Sequence, residues 1–294
     1  MNRLTGFVLI LTSATAFGTL GILGRYGYAA GMDAPTILFL RFTIAAIVLA
    51  CLLAARRERL PRGKVLLGPV AMGAVGYAGQ AYCYFTALQF ASPGLVALLL
   101  YLYPAFVAIL AALILHERIT RRKALALGLV LLGTALTANP EGGEITGIVL
   151  AITAAAIYSV YIVVGTSVMR QISALQSSTV IFAAAGVTSG LVMLVDRPHF
   201  PTTPAGWLVI VLIVLVGTVL PVVAFLSGLK MVGPTNAAML STIEPVVTVL
   251  LAAWLLGERL PAPALAGGAL ILAAVIIITK PSNQKRTNDL RKAG

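Results

Sequence analysis

Two ionisable side chains of this sequence lie deep inside apolar runs. Glu244, in NAAMLSTIEPVVTVLLAAW, stands about 10 residues, or roughly 15 Å at the rise of a helix, from one end of its run. Arg41, in ILFLRFTIAA, stands about 8 residues, or roughly 12 Å, inside another. A buried carboxylate serves as a proton carrier, as a cation ligand, or as a hydrogen-bonded anchor beside the proline that follows it, with Ser241 and Thr242 as neighbours. A buried guanidinium pairs with such an acid, extends its head to a surface, or receives a substrate carboxylate through two parallel hydrogen bonds. Tyrosines accompany both charges. Tyr77, Gln80 and Tyr84 fall on one helical face, Tyr158 and Tyr161 on another, and Tyr101 lies one turn before Pro104. An apolar ring with one hydroxyl suits a cavity for amphipathic solutes, and it suits helix packing equally. Tyr26 and Tyr28 read as interfacial residues.

The elements that must hold these groups follow from composition. Of 294 residues 60% are hydrophobic and 10% charged, and the mean hydropathy is +1.00. A soluble core is excluded by so few charges. Windows of about 20 apolar residues predict membrane helices near 5–24, 34–55, 65–88, 94–115, 122–138, 146–168, 174–195, 205–229, 234–256 and 262–279. The first is read as a retained helix rather than a cleaved signal. With a cytoplasmic N-terminus, 17 of the 21 Lys and Arg fall on the cytoplasmic side. Arg25, Arg197 and Arg259 fall outside, and Arg41 lies within a span. The positive-inside rule therefore puts both termini in the cytoplasm and accounts for the net charge of +12 without nucleic acid. Cys51 and Cys83 read as small core residues, with no spacing for a metal or a disulfide.

The chain also repeats itself. Pro93 and Pro234, Pro104 and Pro245, Glu117 and Glu258, Arg118 and Arg259, and Pro140 and Pro281 are each 141 residues apart. So are Gly6 and Gly147, Thr12 and Thr153, and Gly76 and Gly217. This register divides the chain into a first five-helix unit, 1–140, a second, 141–281, and a basic tail, 282–294. An odd number of spans per unit requires the second copy to enter the membrane inverted. Inverted repeats around a midplane site are a common plan of secondary transporters. Glu244 has Tyr103 as its counterpart, so the repeat itself does not require an acid. Pro104, Pro245 and Pro221 are candidate hinges or static kinks, and the small residues of GAVGYAG, GLVLLG and LAGGAL read as packing.

The segment GPTNAAMLSTIEPVVTVLLAAWLLGERL resembles the signature of EamA-like carriers of the drug/metabolite transporter superfamily, and SPGLVALLLYLYPAFVAILAALILHERI resembles its weaker first copy. Within that family the chain looks most similar to exporters of aromatic and other amino acids. The resemblance implies an all-helical protein of the bacterial cytoplasmic membrane with a central cavity lined by spans 1, 3, 4, 6, 8 and 9. It implies no cofactor, a small-molecule substrate and a monomer or weak homo-oligomer. Small multidrug antiporters are similar at one remove, but their essential first-helix glutamate has no equivalent here.

Other classes lack their chemistry. His116 and His199 lie in loops on opposite sides, so no serine–histidine site forms within the spans. No pair of mid-span aspartates and no GxxxxGK[ST] loop exists. A channel would call for a ring of charge or a filter-like backbone motif, and none is present. The expected function is export of small metabolites, amino acids foremost, by alternating access. Drugs or nucleotide sugars, with or without proton coupling, are the alternative cargo.

Overall fold

The computed structural model describes residues 3–137, 143–193, 198–256 and 262–279. Glu258, Arg259, Pro140, Pro281, Arg197 and the tail 282–294 lie outside the described residues. What is described is helical, with no strand. The elements are α1 (Arg3–Gly18), α2 (Leu20–Ala29), α3 (Ala34–Ala55), α4 (Leu67–Ala71), a π turn (Met72–Tyr77), α5 (Ala78–Ala87), α6 (Pro93–Leu100), α7 (Tyr103–Leu115) and α8 (Arg121–Thr137). The second half holds α9 (Ile145–Val168), α10 (Ala174–Met193), α11 (Pro204–Val214), a π turn (Leu215–Val219), α12 (Leu220–Val232), α13 (Pro234–Ser241), α14 (Glu244–Leu256) and α15 (Ala262–Thr279). Eight helical stretches among the described residues are long and apolar enough to cross a membrane. The windows 65–88 and 122–138 are helical too, but neither is both long and apolar enough to join the eight.

Many helices start on signals legible in the sequence. Asp33, Ser92 and Thr203 each cap a helix by accepting a backbone N–H three residues on. Proline stands in the first turn of α3, α6, α11 and α13, where its missing N–H costs nothing.

Interruptions fall at the same register in both halves. α6 and α13 end at Leu100 and Ser241, and α7 and α14 restart at Tyr103 and Glu244, each 141 residues apart. Pro104 and Pro245 cannot donate to the carbonyls of Leu100 and Ser241 four residues back, so the ladder ends there. Leu102 and Thr242 keep nearly helical angles (φ −71°, ψ −15° and φ −68°, ψ 0°), and each rod is nicked rather than unwound. Pro221 also lies in a first turn, that of α12 after its π turn. The three prolines thus begin segments instead of bending helix interiors. The π turns overlap under the same offset, and Thr218 Oγ1 donates to the Ile213 carbonyl five residues back at 2.8 Å, satisfying an acceptor that the wider turn leaves free.

Packing between the halves is reciprocal. α3 lies along α10, and α8 along α15; α1 packs on α12 as α9 packs on α5. A Cβ on Gly6 would stand 2.6 Å from Met231 Cβ and 2.7 Å from Val232 Cγ1, while one on Gly147 would meet the counterparts Phe90 and Ala91. Gly217 faces Leu20 as Gly76 faces Tyr161. When residue i touches j′ and j touches i′, the two units are related by a pseudo-two-fold. Gly133 brings α8 close to α15, a Cβ there standing 2.7 Å from the Gly267 carbonyl, so GLVLLG and LAGGAL do serve packing. Cys51 is exposed and Cys83 half-buried, which corrects their reading as core residues. A helix that is apolar all round has no fixed inward face, because lipid accepts such side chains as readily as a core does.

Candidate functional site

The interrupted helices and π turns converge on one region. Arg41, on α3 and 7% exposed, donates through Nε to Thr218 Oγ1 at 2.7 Å and through Nη2 to Tyr77 OH at 3.1 Å. Its guanidinium carbon lies 5.1 Å from the Phe42 ring centroid and 5.7 Å from that of Tyr77. Tyr77 and Thr218 are repeat equivalents, each within its own π turn, so one arginine is gripped by the same position of both units.

From Tyr77 a row of rings runs through the protein. Ring centroids are 5.8 Å apart for Tyr77–Tyr161, 5.9 Å for Tyr161–Tyr158, 4.8 Å for Tyr158–Tyr103 and 6.2 Å for Tyr103–Tyr101. Phe42 and Phe182 close its Arg41 end, at 5.2 and 5.8 Å from Tyr77. Edge-to-face geometry, which brings a positive ring edge to a negative face, prevails along most of it. Tyr103 OH donates to the Ala238 carbonyl at 3.1 Å, and Ser159 Oγ donates to the Tyr103 carbonyl. Tyr161 OH is buried with no hydrogen-bond partner among the described residues, and Ser241 lies beside Tyr103.

Glu244 is the first residue of α14, where unpaired backbone N–H groups favour a negative charge. It is half-buried, three residues beyond Ser241, where α13 ends. Tyr77, Tyr84, Tyr101 and Tyr158 are likewise half-buried. The Glu244 carboxylate has no hydrogen-bond partner among the described residues. Thr242 Oγ1 turns instead to the Met239 carbonyl at 2.6 Å, and Thr248 Oγ1 reaches the Glu244 carbonyl at 3.1 Å. Arg41 and Glu244 attract each other, but the hydrogen bonds of Arg41 go to Thr218 and Tyr77. Gln80 is half-buried and makes no hydrogen bond among the described residues. Tyr84 meets its neighbour Phe85 edge-to-face instead of joining the row.

Sequence reasoning missed Tyr103, Thr218, Phe42 and Phe182 as parts of this region. The repeat offset was a usable signal for two of them, since it maps Tyr77 onto Thr218 and Glu244 onto Tyr103. Nothing in one sequence marks a phenylalanine as site-lining.

The two ends of the region differ. At the end bearing the HER loop, α7 packs on α13. There Thr235 Oγ1 donates to Glu117 Oε2 at 2.8 Å, and Glu117 Oε1 pairs with Lys123. At the other end the equivalents α6 and α14 barely touch.

The chain is similar over most of its length to known proteins. The sequence profile of the EamA-like transporter family matches residues 4–139 and again 145–280. An uncharacterized transporter of Archaeoglobus fulgidus is 30% identical over 276 residues, which cover 92% of this chain and 95% of that one. The uncharacterized transporter YcbK of Bacillus subtilis is 24% identical over 271 residues, covering 87% and 86%. A crystal structure matches with a TM-score of 0.82 at 22% identity, over 95% of this chain and 97% of the other, which is likeness of fold. The double match, spaced by the offset that repeats both the helix interruptions and the reciprocal contacts, leads to one conclusion: this chain belongs to the EamA-like transporter family.

Proposed function

We propose that the protein is a secondary transporter exporting small metabolites, amino acids including aromatic ones foremost, by alternating access. In this reading ten helices cross a bacterial cytoplasmic membrane as two inverted units, 1–140 and 141–281. Both termini and the basic tail 282–294 are cytoplasmic. The observation that carries it is the unequal state of two equivalent helix pairs: α7 and α13 are closed on each other while α6 and α14 stand apart. Exchanging the roles of the units through the pseudo-two-fold closes the second pair and opens the first, which is alternating access without a new fold. The breaks at Pro104 and Pro245, with Pro221 beside its π turn, supply the hinges. Tyr77, Tyr84, Tyr101, Tyr158 and Tyr161 with Gln80, Ser241 and Glu244 line the path.

A second cargo, a cationic drug, is favoured by the carboxylate of Glu244, which has no hydrogen-bond partner among the described residues and would also serve proton coupling. Purified protein in liposomes loaded with radiolabelled amino acids tests both. Saturable efflux that survives Glu244→Gln and ignores a pH gradient supports facilitated amino-acid export. Loss of gradient-driven efflux in Glu244→Gln makes Glu244 the proton site. Efflux of cations alone replaces the amino-acid reading by the drug reading.

A further inference from the structure

Arg41 is held from two sides. Nε and Nη2 are engaged by Thr218 and Tyr77, and the guanidinium lies against the Phe42 and Tyr77 rings. Nη1 makes no hydrogen bond among the described residues. A guanidinium carries five N–H donors in a rigid fork, and two are used here. The Glu244 carboxylate likewise has no hydrogen-bond partner among the described residues, and it lies within electrostatic reach of Arg41. Arg41 and Glu244 are thus one positive and one negative group that attract each other without a hydrogen bond between them.

We propose that Arg41 is the anchor for the carboxylate of a zwitterionic solute whose ammonium is received by Glu244, with Tyr77 and Thr218 positioning the guanidinium. This rests on the transport reading above and names the feature by which the site selects. A cation would satisfy Glu244 and leave Arg41 buried without a counter-charge; an anion would do the reverse. A zwitterion completes both groups and leaves the net charge of the site unchanged, so neither ion is stranded in low dielectric. The row Tyr77–Tyr161–Tyr158–Tyr103 then forms a wall for the apolar part of the solute.

Binding of radiolabelled L-phenylalanine to the purified full chain in detergent, measured by equilibrium dialysis, tests the assignment. Three competitors are used: phenylalanine itself, phenylalaninamide (no carboxylate) and phenyllactate (no ammonium). The expected result is displacement by phenylalanine, with each analogue at least tenfold weaker. Arg41→Lys, which loses the planar fork, should weaken binding at least tenfold, and Thr218→Val by less. Should Arg41→Lys fail to fold, the competitor series on the native chain decides alone. Displacement by the amide as good as by phenylalanine overturns the proposal, and so does absence of phenylalanine binding to the native chain. Efflux of some other solute from liposomes would leave the transport reading standing in either case.

Discussion

Two equivalent regions, built from one repeated pattern, are in different states. In α13 every residue from Pro234 to Ser241 is buried, and its partner α7 buries Tyr103, Pro104, Val107, Ala108 and Ala111. In α6, the counterpart of α13, Val96 is the one fully buried residue among the side chains described, and α14 has none. The closed pair is tied across the repeats by Tyr103 to Ala238 and by Thr235 to Glu117, whereas no described tie joins α6 to α14. Equivalent sequence therefore does not impose equivalent packing on the two pairs.

The largest test removes the centre of the closed pair. Tyr103→Ala deletes a buried ring and its hydrogen bond, and should cost about 3–5 kcal/mol of stability. Leu99→Ala, on half-buried α6, should cost about 1 kcal/mol. Denaturant unfolding of both variants in detergent measures the contrast, and equal losses would break it.

Glu117→Gln comes next, because it loosens two ties at once. With Cys51 and Cys83 replaced, a cysteine at Ala237 should label about tenfold faster with a polar thiol reagent when Glu117 is Gln, as expected for losing about 1.4 kcal/mol of charge-assisted bonding. A cysteine at Leu99 should label no faster. An unchanged rate at Ala237 would show that the Glu117 cluster does not hold this end shut.

Thr235→Val keeps the Lys123 pair and removes one bond, so the same labelling should rise only about threefold. A rise as large as that of Glu117→Gln would move the latch from the ion to the hydroxyl.

The smallest effect belongs to the other end, where Asp33 Oδ2 meets His199 Nδ1 at 3.0 Å and His199 N donates to Thr36 Oγ1. Partial burial raises the Asp33 carboxyl, but hydrogen bonds from Thr36 and His199, with the charge of His199, bring it below its ordinary value. A lowered acid contributes stability above the ordinary carboxylate range and loses it as pH falls through the lowered one. As pH falls below the ordinary carboxylate range, the native chain should therefore lose a little stability that Asp33→Asn does not lose. Identical acid curves would remove this contact from the account of the open end.

Much of the fold was legible before any coordinates. Apolar windows, capping residues and first-turn prolines mark where helices begin, and the 141-residue register foretells that both units break at one place. The site was legible in part. An acid and a base deep in apolar runs are conspicuous because they are costly there, so Glu244 and Arg41 stood out. Tyr84 and Gln80 show the limit, since a shared helical face says which residues point together and not what they meet. Thr218 was silent because a threonine in an apolar helix normally bonds its own backbone; here it bonds both Ile213 and Arg41.

By itself the sequence determined the family, the helical class, the duplication and the two buried charges, because each depends on residue type and spacing along the chain. The tertiary structure decided that Arg41 is gripped by Thr218 and Tyr77, that five tyrosines form one row, and that α13 is sealed while α6 is open. Those facts depend on which faces of uniformly apolar helices meet, and a helix apolar on every side carries no record of its neighbours.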